Sequence, residues 1–399
     1  MTNRNAYIAV MLSAAGIFAL TMGIRQSQAL FISPINSSTG LGIGEISFAF
    51  AVAQLMWGVT QPFAGAAADR YGAGRVLAAG LLLVGLGTAL TPFATTTWGL
   101  VFCIGILGAA GAGAAGPGVL MAATTRLVPP EKRGIASGVV GAGGSFGQFA
   151  IVPLAQGVSS AFGWVNALLT LGAISLAGLF GAVTLKGKAA AHAAGGPTMR
   201  ASIAEAFRDR SYLLLCAGFF TCGFHVAFIA THLPGVVAQC GLPPAVGAWS
   251  LAVIGLFNIV GSLSVGWAVN RWRMRSLLSL IYAARAVAVM LFLMAPKTEL
   301  TFVLFAAAIG VTYLSTVPPT AGLVGKLFGP RYMATLFGIV MLSHQVGGFL
   351  GAWLGGKAFD AFASYDWMWY ADIALALFAA AIHLPIREAA VQRPAAAAA

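Results

Sequence analysis

Apolar residues run along this chain in long blocks broken by short polar stretches. Twelve blocks can be drawn, at about 8–34, 45–68, 75–94, 98–126, 134–160, 163–185, 211–239, 244–269, 275–295, 299–326, 331–359 and 367–386, numbered here as helices 1 to 12. A helix needs roughly 20 residues to cross the hydrocarbon of a bilayer, whereas a barrel strand needs only about 9–11. The block lengths therefore predict spanning helices and an all-α membrane protein. The longest polar interruption, 186–210, divides six helices from six. It opens Ala/Gly-rich and closes in a short amphipathic run, Ser202 to Arg210, which predicts a cytoplasmic linker carrying a surface helix. A first six-helix bundle over 1–185 and a second over 211–388 follow, with a polyalanine-ended tail, 389–399, expected to be disordered.

The two halves repeat one another at an offset of about 200 residues. Gly23-Ile24-Arg25 returns as Gly223-Phe224-His225, Ser33-Pro34 as Leu233-Pro234, and Asp69-Arg70 as Asn270-Arg271. Gly138 and Gly147 return as Gly338 and Gly347. Two copies of one apolar bundle in a single chain predict a pseudo-symmetric pair of bundles, the architecture of a secondary transporter with its substrate site between the copies.

Composition agrees with a bilayer setting: 59% of residues are hydrophobic and 8% charged, against about 25% charged in a soluble domain. The 51 glycines suit close helix packing in lipid. A net charge of +12 would suggest nucleic acid as a partner, but the placement of the charges excludes it. Arg4, Arg70, Arg75, Arg126, Lys132, Arg133, Arg271, Arg273, Arg275, Lys326, Arg331 and Arg387 fall at one set of alternate helix ends, and the opposite set holds Lys297 and Lys357. This asymmetry predicts that both termini lie in the cytoplasm. Cys103, Cys216, Cys222 and Cys240 sit in or at the end of apolar helices without CxxC or metal spacing, so they read as packing thiols, and no metal or other cofactor is expected.

The loop after helix 2 reads Gly65-Ala-Ala-Ala-Asp69-Arg70-Tyr71-Gly72-Ala-Gly-Arg75. It resembles the G-x-x-x-D-R-x-G-x-x-R signature of the major facilitator superfamily, and the resemblance extends over the whole chain. It implies the major facilitator fold, twelve transmembrane helices in two six-helix bundles. Asp69, Arg70 and Arg75 are then gating residues, since a carboxylate at that helix end can accept hydrogen bonds from a helix N-terminus of the other half and latch the outward-facing state; a solvated turn with positive-inside arginines is the alternative.

A narrower resemblance rests on Gly23-Ile-Arg25-Gln-Ser with Ser33-Pro34, on Gly141 to Gln148, on Cys222-Gly-Phe-His225 to Pro234, on Tyr313-Leu-Ser-Thr-Val-Pro318-Pro319, and on Ser343-His344-Gln345. Together these are similar to the bacterial branch of the monocarboxylate-transporter-like facilitators. That likeness implies proton-linked movement of small organic acids across a bacterial inner membrane. One departure stands out. The better-known monocarboxylate transporters carry an Asp and an Arg four residues apart on helix 8, where this chain has Asn258 and Ser262.

Polar side chains inside the bilayer are costly and mark function. Arg25 lies midway along helix 1, His225 occupies the equivalent place in helix 7, and His344 lies about 13 residues, or about 20 Å, into helix 11. All three fall near the midplane, where facilitators bind substrate. A guanidinium facing a cavity can take a carboxylate bidentately, or it can be a structural donor to carbonyls of a Gly/Pro-broken helix. His225, His344 and His232 are proton-coupling candidates, each with hydrogen-bonded packing as its alternative; for His232 the partner would be backbone freed by Pro234. Gln345 and Asn258 join Arg25, His225 and His344 as expected substrate contacts, although Asn258 could equally join helices. Arg285 on helix 9 and Asp372 on helix 12 are expected to form a structural ion pair.

With basic groups, histidines and amides in the inner membrane and almost no acid, the cavity should select an anion. The expectation is a monomeric, non-enzymatic secondary transporter of a small organic anion, foremost a monocarboxylate, with proton symport. Efflux antiport of an amphipathic drug or metabolite is the alternative.

Overall fold

The computed structural model describes residues 4–129, 132–185, 199–329 and 333–389. Most of the expected linker, 186–198, and the tail from 390 lie outside the described residues. The described residues are mostly helical and hold no strand. Buried backbone in a bilayer must be paired within its own segment, which an uninterrupted apolar helix achieves.

Among the described residues eleven helices are long and apolar enough to span: helix 1 (Tyr7–Thr39), helix 2 (Ile43–Ala68), helix 3 (Ala73–Phe93), helix 4 (Thr97–Thr124), helix 5 (Ile135–Phe162), helix 6 (Trp164–Thr184), helix 7 (Arg210–Gln239), helix 8 (Pro244–Ala268), helix 9 (Met274–Met294), helix 10 (Glu299–Phe328) and helix 11 (Thr335–Phe362). The twelfth, helix 12 (Asp366–His383), is an 18-residue helix packed along helices 9 and 7. The amphipathic run before helix 7 is a helix over Met199–Arg208 that buries Ser202 and Ala206.

Three spanning helices are broken near proline. Helix 1 narrows to a 3-10 turn at Gln28–Phe31, just before Pro34. Helix 4 restarts at Pro117, and helix 10 stops at Thr312 and restarts at Val317, beside Pro318 and Pro319.

Packing repeats with a two-fold relation. Helix 1 lies against 5 as 7 lies against 11, helix 3 against 6 as 9 against 12, and helix 2 against 4 as 8 against 10. The repeated glycines explain part of this. A Cβ on Gly147 would collide with the Ala19 carbonyl, and one on Gly347 with the Phe220 carbonyl, so both close helix pairs need a residue without a side chain at that level.

The bundles meet along two matched seams, helix 2 against 11 and helix 5 against 8. Both are closed over the half of the molecule away from the termini. There Gly44 N donates to Asp360 Oδ2 at 2.9 Å, Phe48 packs on Phe349 and Trp353, and Gln148 Nε2 donates to the Leu251 carbonyl at 2.8 Å; near mid-span Asn258 Nδ2 donates to Ser145 Oγ at 2.9 Å. Continuing the same faces toward the termini leads to Gly65, two turns past Gly58 on helix 2, and to Gly338, two turns before Gln345 on helix 11. A Cβ at either would meet no neighbouring group within 4 Å, and the same holds at Gly138 and Gly266 on the other seam. The cleft between the bundles is thus open on the side that carries the termini.

Candidate functional site

Arg25 lies in the last turn of the first segment of helix 1 (Arg4–Ser27), immediately before the 3-10 turn. Arg25 is half-buried, while its neighbours Ile24, Gln26 and Ser27 are buried. The Arg25 guanidinium donates through Nη2 to Gln54 Oε1 and lies 4.9 Å from the centroid of the Trp57 ring. Both partners are on helix 2, one turn apart. Among the described residues no carboxylate lies within salt-bridge distance of Arg25. A guanidinium has five N–H donors, so most of its capacity is not taken up by these partners. Tyr313, at the break of helix 10, is within electrostatic reach of it from the other bundle. A cavity of about 20 Å³ beside it, lined by Thr21, Ile24, Gln28 and Val84, has room for about one water.

Helix 11 faces helix 2, which carries both partners of Arg25, from the second bundle. Gln345 is buried, its stem packed into the space that Gly58 leaves by lacking a Cβ, and neither its amide oxygen nor its nitrogen has a partner. His344 is buried beside Phe219, and both of its ring nitrogens are without partners. The indole Nε1 of Trp57 is likewise buried and unpaired. Buried polar atoms are normally paired, so the unpaired Trp57 indole beside Arg25 and the unpaired Gln345 amide, packed on the same helix 2, are groups with capacity left for a ligand. Of the expected contacts, Arg25 and Gln345 both pack on helix 2, whereas His344 turns to Phe219 of helix 7. Sequence reasoning missed Gln54 and Trp57, although a glutamine inside an apolar block, one turn from Gly58, is a readable signal.

The remaining expected contacts are elsewhere. His225 is buried inside the second bundle, not on the seam. Residues 220, 223 and 224 of helix 7 turn toward helix 11, so 225 and 222 turn inward toward helices 9 and 12. The ion pair expected between Arg285 and Asp372 is also corrected: His225 stands between them. His225 Nε2 lies 3.3 Å from Asp372 Oδ1, and Arg285 Nη1 lies 3.4 Å from His225 Nδ1. Arg285 Nη2 donates to the carbonyls of Thr312 and Tyr313, where the first half of helix 10 ends, and its guanidinium lies over Tyr282. Arg285 thus satisfies carbonyls that the break leaves without a helical partner.

His232 holds helix 7 to helix 11, its Nε2 2.7 Å from the Ala352 carbonyl, rather than bonding the backbone that Pro234 frees. Asn258 is committed as a joint. It donates to Ser145 across the seam, and its Oδ1 accepts from Leu314 N at 3.0 Å and from Ser262 Oγ at 3.3 Å. It ties helices 5, 8 and 10 at one level and has little capacity left for a ligand. Asp69 is in the last turn of the helix Ile43–Tyr71, on the open side, and its side chain lies outside the described residues. Arg70 lies over the neighbouring Tyr71 ring at 5.3 Å, and Arg75 is exposed at the start of helix 3.

Known proteins of this shape and sequence point one way. Residues 8–352 match the family model described as Major Facilitator Superfamily. The uncharacterized MFS-type transporter YcxA of Bacillus subtilis is 24% identical over 360 residues, covering 88% of each chain. Monocarboxylate transporter 13 of Rattus norvegicus is 26% identical over 375 residues, covering 89% of this chain and 83% of its own. The solved nucleoside transporter NupG superposes with a TM-score of 0.79 at 13% identity, covering 94% of this chain and 99% of that one. With two matched bundles around a cleft and a family match over most of its length, this chain belongs to the Major Facilitator Superfamily.

Proposed function

We propose that this chain is a secondary transporter of a small organic anion, foremost a monocarboxylate, carried together with a proton across a bacterial inner membrane. The observation that carries this is Arg25, a half-buried guanidinium with spare donors and no acidic partner among the described residues. A carboxylate entering from the open side would replace its lost hydration with a bidentate contact to that group. Trp57 Nε1 and Gln345 supply the further unpaired atoms that fix its orientation. The likeness to a protein named as a monocarboxylate transporter supports the same substrate class. If the basic helix ends face the cytoplasm, the cleft is open inward and the protein works as a monomer by alternating the two seams.

The test is a thermal-shift screen of the purified protein against small mono- and dicarboxylic acids and amphipathic cations, followed by liposome uptake of each hit. Stabilisation by monocarboxylates that Arg25→Gln removes is the expected result. Stabilisation by amphipathic cations alone, unchanged in Arg25→Gln, overturns the reading in favour of efflux.

A further inference from the structure

The second bundle encloses a charged cluster that anion binding at Arg25 does not use. Asp372, His225 and Arg285 come from helices 12, 7 and 9, and each is 1% exposed or less. Asp372 is the one buried acidic side chain among the described residues. Neither of its oxygens receives a hydrogen bond. Other polar groups face the cluster from every neighbouring helix: Cys222 on helix 7, Tyr282 on helix 9, Tyr313 on helix 10, His344 on helix 11 toward Cys222, and His383 on helix 12, stacked on Tyr282. None of these places a donor on Asp372.

The geometry also fixes how a proton can be held. Arg285 can only donate, so His225 Nδ1, which faces it at 3.4 Å, must be the accepting nitrogen. The neutral ring then carries its hydrogen on Nε2, which lies 3.3 Å from Asp372 Oδ1 without a hydrogen bond formed between them. A proton added to Nδ1 would point at a guanidinium and is excluded by charge. The open position in the cluster is therefore the bare carboxylate oxygen.

We propose that Asp372 is the carrier of the coupled proton in this transporter, oriented by His225 and read out by Arg285; this rests on the reading of the chain as a proton-coupled anion transporter. In the ionised state Asp372 and Arg285 balance one another. Protonation removes the negative partner and leaves Arg285 held by the carbonyls of Thr312 and Tyr313 alone. Those carbonyls end the first half of helix 10, whose Tyr313 hydroxyl donates to the Val226 carbonyl at 3.1 Å and whose Leu314 N is held by the joint residue Asn258. The cluster can thus bias the helix 10 break and, through Asn258, the seam between helices 5 and 8. It supplies, inside the second bundle, a proton route that Asn258 and Ser262 on helix 8 lack.

The experiment is infrared difference spectroscopy of the full-length protein in lipid, recorded as a function of pH in potassium buffer with no substrate present. A carbonyl band of a buried carboxylic acid, appearing as pH falls and lost in Asp372→Asn, is the expected result. His225→Gln should keep the band and move its midpoint. If the asparagine protein is not recovered, Asp372→Glu must shift the band position. A band absent from wild type, or unchanged in the Asp372 variants, overturns the proposal. So does a thermal shift with sodium that Asp372→Asn removes, since the site would then be one for sodium. Uptake of radiolabelled pyruvate, used as the probe anion, separates the two claims. Acid-driven uptake that survives in Asp372→Asn defeats the proton site and leaves the anion reading standing. A band that behaves as expected in a protein unresponsive to every organic acid defeats only the anion reading.

Discussion

Each bundle holds one deeply placed arginine, and the two have opposite surroundings. Arg285 is engaged within its bundle: two backbone carbonyls, a histidine nitrogen and a tyrosine face meet its Nη groups, its Nε is left without a partner, and it is 1% exposed. Arg25 has one amide and one indole ring, is half-buried, and looks across the seam. Identical chemistry is structural where its donors are consumed within the bundle and is available to a ligand where they are not. Burial and the number of partners together separate the two roles, and charge alone does not.

The largest expected effect of breaking this contrast is on stability. Arg285→Gln leaves Asp372 without its counter-charge and two carbonyls at the helix 10 break without a donor. Removing one partner of a buried charge pair costs about 3–5 kcal/mol. The variant should unfold at markedly lower temperature in detergent, and little should be recovered. The same substitution at Arg25 should leave the melting temperature of the unliganded protein close to wild type. Equal destabilisation at both positions would erase the distinction.

Next in size is the ligand side of the comparison. Charge-assisted hydrogen bonds contribute about 1.5–3 kcal/mol, so Arg25→Gln should weaken anion binding about tenfold or more, measured by titration calorimetry with the hit from the acid screen. Arg25→Lys keeps the charge and loses the planar fork, so binding should fall less. Wild-type affinity in Arg25→Gln would remove Arg25 from the site.

Much of this was legible from residue order alone. Twelve apolar blocks and the repeat offset gave the helices and the bundles, because length and periodicity are all that a bilayer demands of a span. The level of Arg25, His344 and Gln345 was legible for the same reason, since depth follows from counting along a helix. Facing was not. His225 is at the depth of Arg25, but its position about the helix 7 axis turns it toward Asp372, and that angle is set by which residues of helix 7 pack on helix 11. Asn258 likewise read as a possible ligand because its partners, Ser145 and Leu314, come from helices far away in the chain. The inward pairing of Arg285 with helix 10 carbonyls follows from the break there, which the paired prolines signalled without saying who would satisfy it.

A third test turns on the seam that separates the two arginines. A Cβ at Gly58 would occupy the space of the Gln345 stem. Overpacking of a close interface costs about 1–3 kcal/mol, so Gly58→Leu should disfavour closure of helix 2 on helix 11 and populate the state open away from the termini. Spin labels at the far ends of these two helices should move apart. Unchanged distances would mean that Gln345 can leave its place without opening the seam, and that its unpaired amide is not held beside Arg25.

The smallest effect belongs to the outer end of that seam. Asp360, near the end of helix 11, accepts from Gly44 N in the first turn of helix 2 at 2.9 Å. It joins the bundles on the closed side as Asp69 was expected to join them on the open one. A carboxylate at a helix N-terminus gains about 0.3–1 kcal/mol when exposed, and Asp360 is exposed, so the lower part of that range applies. Asp360→Asn removes the charge and keeps the size. By the sign of the interaction, it weakens the state seen here and shifts the population about two- to threefold toward the opposite opening. The same pair of spin labels should show a modest gain in the longer distance, with melting temperature and anion affinity of the open-cleft state unchanged. A shift of the population toward the shorter distance would mean that Asp360 holds the far side apart, and the contact to Gly44 would not be a latch.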